Sequence, residues 1–300
     1  MQYKPSLDIV GTLGGKGSRA AVYTGFDGGD NVGISKANLP IDISRPQLRP
    51  VEASQLPPYD ERFLEKDLPP YIIPLVALQL WKISEGFDIR RVLVSMNQKW
   101  HLDLFEKYVK RGSLPEAEYF YGIHTYEDPT KTFERIDDDT LSRFGEQPFL
   151  WTTGDLHFSE AHVSNMLDCY RRLSRGGEVL VGTRISRFDG MVGICFRQQA
   201  DGRIVGCYEN GDAEFAIKFP FIVPPSLIPA IRDFSRREQP RLERLIRQMA
   251  NERGVAVVEP EGEFYNLNTA LEIERFCGLT GLEDTRQRII ENMAIFREIS

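Results

Sequence analysis

A short apolar run, Ile9-Val10-Gly11-Thr12-Leu13, opens directly into Gly14-Gly15-Lys16-Gly17-Ser18-Arg19, and no other stretch restricts the fold as strongly. The run reads as a first strand. Glycines placed just after it let backbone N–H groups converge on an anion with no Cβ in the way. Lys16 and Arg19 add positive charge for phosphate oxygens. The loop reads as a clamp for a nucleoside triphosphate; on these residues alone, a mobile glycine loop with incidental charges is an equal alternative. Two better-known phosphate loops do not fit. A P-loop needs Ser or Thr after its lysine, and Gly17 follows Lys16 here. Gly15-x-Gly17-x-x-Ala20 matches a dinucleotide fingerprint, but Gly25, Gly28, Gly29 and Gly33 break the helix that should follow.

Further along, Pro74 starts a helical pattern in which Leu75, Leu78 and Ser84 bracket an apolar face that includes Trp81, and Arg91–Met96 reads as a buried strand. His101–Arg111 reads as a helix and Ala117–Tyr121 as a strand. Phe149–Thr153 is another apolar strand, and Ser159 is a credible N-cap for a helix striped by Val163, Met166, Leu167, Tyr170 and Leu173. This alternation predicts a Rossmann-like three-layer α/β/α fold around a central sheet. Short strands at 178–183, 191–197, 203–208 and 214–223, with an Asp201-Gly202 turn, add antiparallel members, so the sheet is mixed. Helices over 226–239 and from Pro240, a strand at 255–258 and two closing helices complete a single domain spanning 1–300. Residues 42–71, rich in proline and charge, are expected to lack regular structure and to form a flap beside the loop.

Composition narrows the class of partner. A net charge of −7 and a pI near 5.3 argue against a general nucleic-acid or anionic-membrane binder. No apolar run approaches the roughly 20 residues of a membrane span. Cys169, Cys195, Cys207 and Cys277 lie far apart with no CxxC pair, so buried thiols in a reducing cytoplasm are expected.

Asp155 follows Gly154 at the end of an apolar strand. A lone carboxylate there, beside a triphosphate, suits Mg²⁺, which takes one or two protein oxygens and completes its shell with phosphates and water. Asn266 and Asn268 are candidates to complete that site, and equally read as turn and N-cap residues before a helix. Asp137-Asp138-Asp139 could mimic a glycosyltransferase metal motif but follows no apolar strand, so a solvated loop or a helix start is favoured.

In order, these pieces resemble the nucleotidyltransferase superfamily of sugar-phosphate and molybdopterin-type enzymes. Gly14–Arg19 is similar to the family's GGxGTR loop, and Lys36-Ala37-Asn38-Leu39-Pro40-Ile41 to its KxLLPI. Thr153-Gly154-Asp155 sits as its (N/T)GD does, and Asn266-Leu267-Asn268-Thr269 looks like its closing NxNTPED or DxDTPED. The resemblance implies transfer of an NMP from an NTP to a phosphorylated sugar or sugar-like acceptor, with release of pyrophosphate. It implies Arg19, Lys36 and Asp155 as catalytic residues, and Leu13, Gly14, Gly15, Lys16, Gly17, Ser18 and Gly154 as nucleotide-binding residues. Mg²⁺ would be held by Asp155 with Asn266 or Asn268. The family's Glu-Lys-Pro appears as Glu209-Asn210-Gly211, without its lysine. Glu209 and Lys218 are therefore the acceptor-side candidates, with Arg45, Arg49 and Lys66 of the insertion as further cations. A glycosyltransferase using a nucleotide sugar and a silent nucleotide-binding protein are the alternative functions. The expected setting is the cytoplasm, with no nucleic-acid or membrane partner and a homodimer conceivable through the insertion.

Overall fold

The computed structural model describes residues 4–13, 18–26, 33–57, 63–64, 69–123, 128–174, 178–186, 194–198, 204–209, 215–237 and 240–299. At 18, 186, 194–198, 205–209, 280 and 294–299 the description covers the backbone alone. The predicted first strand is β1 (Ser6–Thr12), buried from Leu7 onward. A strand covered on both faces carries apolar residues in near succession, as Leu7, Ile9 and Val10 do here. Its one charge, Asp8, is buried at the amino end and takes a two-pronged bond from Arg90, 3.0 Å from Nε and 2.7 Å from Nη2.

Helix α1 (Ala21–Thr24) follows, then the short strands β2 (Pro40–Asp42), β3 (Arg49–Pro50) and β4 (Ile72–Pro74), which form a small sheet in the order β3–β2–β4. The expectation of no regular structure over 42–71 is therefore corrected at Asp42, at Arg49–Pro50 and at the 3-10 turn Ala53–Gln55. Prolines are tolerated there because Pro40 opens its strand and Pro50 lies on an edge. Such two- and three-residue pairings are too short to leave a periodic signature.

Helix α2 (Leu75–Gly86), β5 (Asp88–Met96), α3 (Lys99–Lys110) and β6 (Glu118–Ile123) come where the pattern puts them. Helices α4 (Thr132–Arg135) and α5 (Asp138–Arg143) precede β7 (Phe149–Thr153) and β8 (Leu156–Phe158). The acidic run is indeed a helix start: Asp137 caps α5 by accepting from Thr140 N at 2.7 Å. Ser159 likewise caps α6 (Glu160–Leu173). Strands β9 (Leu180–Ser186), β10 (Ile194–Gln198), β11 (Ile204–Glu209) and β12 (Phe215–Val223) follow. The turn Asp201-Gly202 lies outside the described residues, but β10 and β11 pair antiparallel as a hairpin must. The helix expected over 226–239 is shorter, α7 (Ile228–Ser235), with Pro225–Leu227 wound as a 3-10 turn before it. The chain closes with α8 (Leu242–Glu252), β13 (Val255–Val258), β14 (Phe264–Asn266), α9 (Ala270–Cys277) and α10 (Glu283–Ile299).

The central sheet runs β6–β5–β1–β7–β12–β9–β13. Six of these strands point one way and β12 runs against them, with the β10–β11 hairpin attached to the start of β12. This is the mixed three-layer α/β/α sheet expected from sequence. Trp151 anchors its centre, fully buried, with Phe133 and Phe219 edge-on at 5.0 Å and its indole N–H given to Thr12 Oγ1 at 3.0 Å. Cys169 and Cys277 are buried thiols in no disulfide; the side chains of Cys195 and Cys207 fall outside the description.

Candidate active site

Strands β1 and β7 lie side by side in parallel and end together, with Thr12 opposite Thr153. The segment after each strand therefore emerges at the same edge of the sheet, where open α/β folds collect ligands. Gly154 and Asp155 turn there, and the 3-10 turn Lys36–Asn38 is pressed against them. Gly154 has a steric reason to be glycine. A Cβ at that position would stand 2.6 Å from Ala37 Cβ, so any side chain would push the Lys36 turn away. The turn is anchored from beneath by Asn38, whose Nδ2 donates to the His101 carbonyl at 2.8 Å.

Lys36, buried on this turn, donates to Asp155 Oδ2 at 2.6 Å and to Asn268 Oδ1 at 3.2 Å. Arg19, exposed on the 3-10 turn Ser18–Ala20, donates from Nη2 to the same Asn268 oxygen at 3.2 Å. Asn268 in turn gives its Nδ2 to Asn266 Oδ1 at 2.5 Å. Residues from four distant segments thus meet around one ammonium. The asparagines arrive because β14 pairs antiparallel with β8, Asn266 opposite Leu156, and Leu267 N donates to Asp155 O at 2.7 Å. Asn268 directly precedes Thr269, which caps α9 in a full capping box with Glu272. The cap role read from the sequence thus falls to Thr269, which frees the Asn268 side chain for the site.

Electrostatics follow from this geometry. Burial alone would raise the Asp155 pKa, but the Lys36 ammonium and hydrogen bonds from Lys36 and Thr153 outweigh it and hold the carboxyl below its ordinary value. Lys218, half-buried on β12, is pushed below the usual lysine value by burial, against the opposing pull of Asp155 and Glu243 and with added repulsion from Arg19. Lys218 therefore shares the field of the Asp155 cluster. Leu13 is buried and spends its amide on the Ser95 carbonyl at 2.7 Å. Gly14, Gly15, Lys16 and Gly17 lie outside the described residues, as do Lys66, Asn210 and Gly211. Ser18 and Glu209 are described in backbone only; Glu209 ends β11 opposite Ile194. Arg45 and Arg49 are exposed in the small-sheet segment and make none of the bonds that join Lys36, Asp155, Arg19 and Asn268. Thr153, which supports the Asp155 carboxylate, escaped the sequence reading because a strand-end threonine carries no signal of its own.

Among the described residues no three His, Cys, Asp or Glu side chains converge on a metal site. The donors at hand are one carboxylate and two amide oxygens, all hard ligands. A cationic ammonium already bridges Asp155 Oδ2 and Asn268 Oδ1. That set fits Mg²⁺, provided phosphate oxygens supply the rest of its shell.

The fold is similar to that of solved nucleotidyltransferases. No family model matches the sequence, and no curated protein matches it. Among solved structures, the inositol-1-phosphate CTP transferase from T. maritima is similar over 96% of this chain and 98% of its own, with a TM-score of 0.57 and 12% identity. The CTP:phosphocholine cytidylyltransferase LicC from Streptococcus pneumoniae aligns over 91% of this chain and 97% of its own, with a TM-score of 0.54 and 12% identity. HddC from Yersinia pseudotuberculosis aligns over 92% and 98%, with a TM-score of 0.53 and 12% identity. No described helix is long and apolar enough to cross a membrane.

Proposed function

We propose that this chain is a nucleotidyltransferase that moves an NMP from an NTP onto a phosphorylated sugar or sugar-like acceptor. The observation that carries the proposal is the meeting of Arg19, Lys36, Asp155 and Asn268 at the carboxyl ends of β1 and β7, directly beside the glycine-rich segment. An oxygen of the acceptor's phosphate attacks the α-phosphorus in line. The bond from the α-phosphorus to the β-bridging oxygen breaks, and pyrophosphate leaves with the electron pair. The attacking phosphate is already anionic at neutral pH, so no general base is required and catalysis is positioning plus charge neutralisation.

Lys16 and Arg19, with the loop amides of 14–18, hold the β- and γ-phosphates in this reading. Lys36 leaves Asp155 to lie between the α-phosphate and the acceptor's phosphate. Asp155, with Asn268 or Asn266, would hold Mg²⁺, which when bound would offset charge developing on the phosphate oxygens. Lys218 replaces the lysine missing after Glu209 as a contact for the acceptor's phosphate, a role supported by its place in the field of Asp155 and Arg19. The buried thiols suit a reducing cytoplasm.

Pyrophosphate release tests the proposal. The protein is incubated with each common NTP, Mg²⁺ and a panel of sugar phosphates, inositol 1-phosphate and phosphocholine. Release that requires both an NTP and one acceptor class is expected. Absence of release with every pair, or turnover of nucleotide sugars instead, overturns it.

A further inference from the structure

We infer that His162 is a positioning residue that aims Lys218 into the site, acting through Thr183 and a bulge in β12. The inference rests on the reading of Lys218 as a ligand of the acceptor's phosphate.

The bulge is visible in the pairing of β12 with β9. Lys218 faces Thr183 and Phe221 faces Gly182, so Phe219 and Pro220 are extra residues with no partner in any described ladder. Bulges re-aim the side chains beside them. Here the side chain beside the bulge is Lys218. A bulged carbonyl must still find a donor, and that of Pro220 takes the Thr183 hydroxyl at 3.2 Å.

Thr183 is held in turn by His162, buried on α6, whose Nε2 lies 2.9 Å from Thr183 Oγ1. The other ring nitrogen, Nδ1, faces the backbone N–H of Glu261 at 3.4 Å. Every proton in this chain is thereby assigned. Glu261 N–H can only donate, so Nδ1 is the bare nitrogen and Nε2 carries the proton. Nε2–H donates to Thr183 Oγ1, and the hydroxyl proton goes to the Pro220 carbonyl, which can only accept. Burial, which lowers the His162 pKa to about 4, keeps the ring in this neutral form.

The far end of the relay matters as much. Glu261 lies in the turn that leads into β14, and its carbonyl is held by Ser159 Oγ at 2.5 Å. That strand delivers Asn266 and leads on to Asn268. His162 is thus a tie between the segment carrying the asparagines and the segment carrying Lys218, setting the distance between the nucleotide side and the acceptor side of the site.

The test uses pyridoxal 5′-phosphate, which carries a phosphate and an amine-reactive aldehyde. It is followed by borohydride reduction and peptide mass spectrometry. In the unaltered protein Lys218 is expected to label faster than the exposed Lys99 and Lys110, with protection by NTP and Mg²⁺. Thr183→Val removes the relay at nearly constant shape and should bring Lys218 to the rate of those surface lysines. Thr183→Ser restores the hydroxyl and should restore the preference. Where Thr183→Val fails to fold, His162→Asn, which can still accept from Glu261 N–H and cannot reach Thr183, must show the same loss. In the pyrophosphate assay Thr183→Val should raise the acceptor's KM up to tenfold, the scale of one lost hydrogen bond, and leave the NTP's KM unchanged. Preferential labelling that survives in Thr183→Val or His162→Asn overturns the positioning role. No preference for Lys218 in the unaltered protein instead counts against Lys218 as a phosphate ligand.

Discussion

At the residue scale the site turns on one ion pair. Lys36 Nζ and Asp155 Oδ2 are 2.6 Å apart, with side-chain exposures of 9% and 25%. Removing either partner leaves the other charged and partly desolvated, at a cost on the order of 2 kcal/mol. Removing both relieves that cost. Lys36→Met and Asp155→Asn are therefore expected each to lower the urea midpoint, and the double variant to be more stable than the sum of the singles. Turnover should behave differently. Each single variant should lose on the order of 10²-fold or more, the scale of one transition-state charge contact, and the double variant should regain none of it. Recovery of both stability and turnover in the double variant would show the pair to be structural only. The residue types here were legible in the sequence: a lysine and an arginine bracketing glycines, and an aspartate ending an apolar strand. Which oxygen the lysine would touch was not, because 119 residues separate the partners.

At the element scale, strands and helices formed where apolar periodicity put them, and the misses have a common cause. Strand β14 and the small β3–β2–β4 sheet are too short to show a period, and each exists only through a distant partner: β8 for β14, and β4 beside β2. The described part of the insertion is also tied down at both ends. Ile43 N donates to Tyr71 O at 3.0 Å, and Arg286 Nε of α10 donates to Ile43 O at 2.8 Å. Further along the insertion, Phe63 is buried. Helix α9 offers a sharper test. Its capping box, Thr269 with Glu272, fixes the backbone one residue after Asn268. Thr269→Ala should cost about 1 kcal/mol of stability and also slow turnover, since Asn268 loses its support. A stability loss with unchanged kcat would mean that the cap serves the helix and not the site.

At the scale of the whole molecule, three buried histidines set the response to acid. Burial lowers His101 and His162 to about 4 and His157 to about 3, the last aided by Lys82. In the unfolded chain each titrates near 6.5. Between that value and the lowered ones, the unfolded state binds protons that the folded state refuses, so stability falls as pH falls. Each such proton contributes about 1.4 kcal/mol per pH unit. Stability measured by chemical denaturation should be flat above pH 7 with respect to these groups and drop steeply from about 6.5 towards 4. Replacing His162 by Asn should flatten that slope by one proton; an unchanged slope would mean the ring is charged when folded.

The sequence by itself determined the class of fold, because buried parallel strands and amphipathic helices announce themselves through local apolar pattern. It also determined the cast of charged residues, in order along the chain. Only the tertiary structure decided how they meet. The parallel register of β1 with β7 brings two loops to one edge, the β8–β14 pairing delivers the asparagines, and the bulge in β12 carries Lys218 into their field. Register and bulges are set by pairing across long stretches of chain, where the cohesive free energy belongs to the assembled sheet and to no single segment of it.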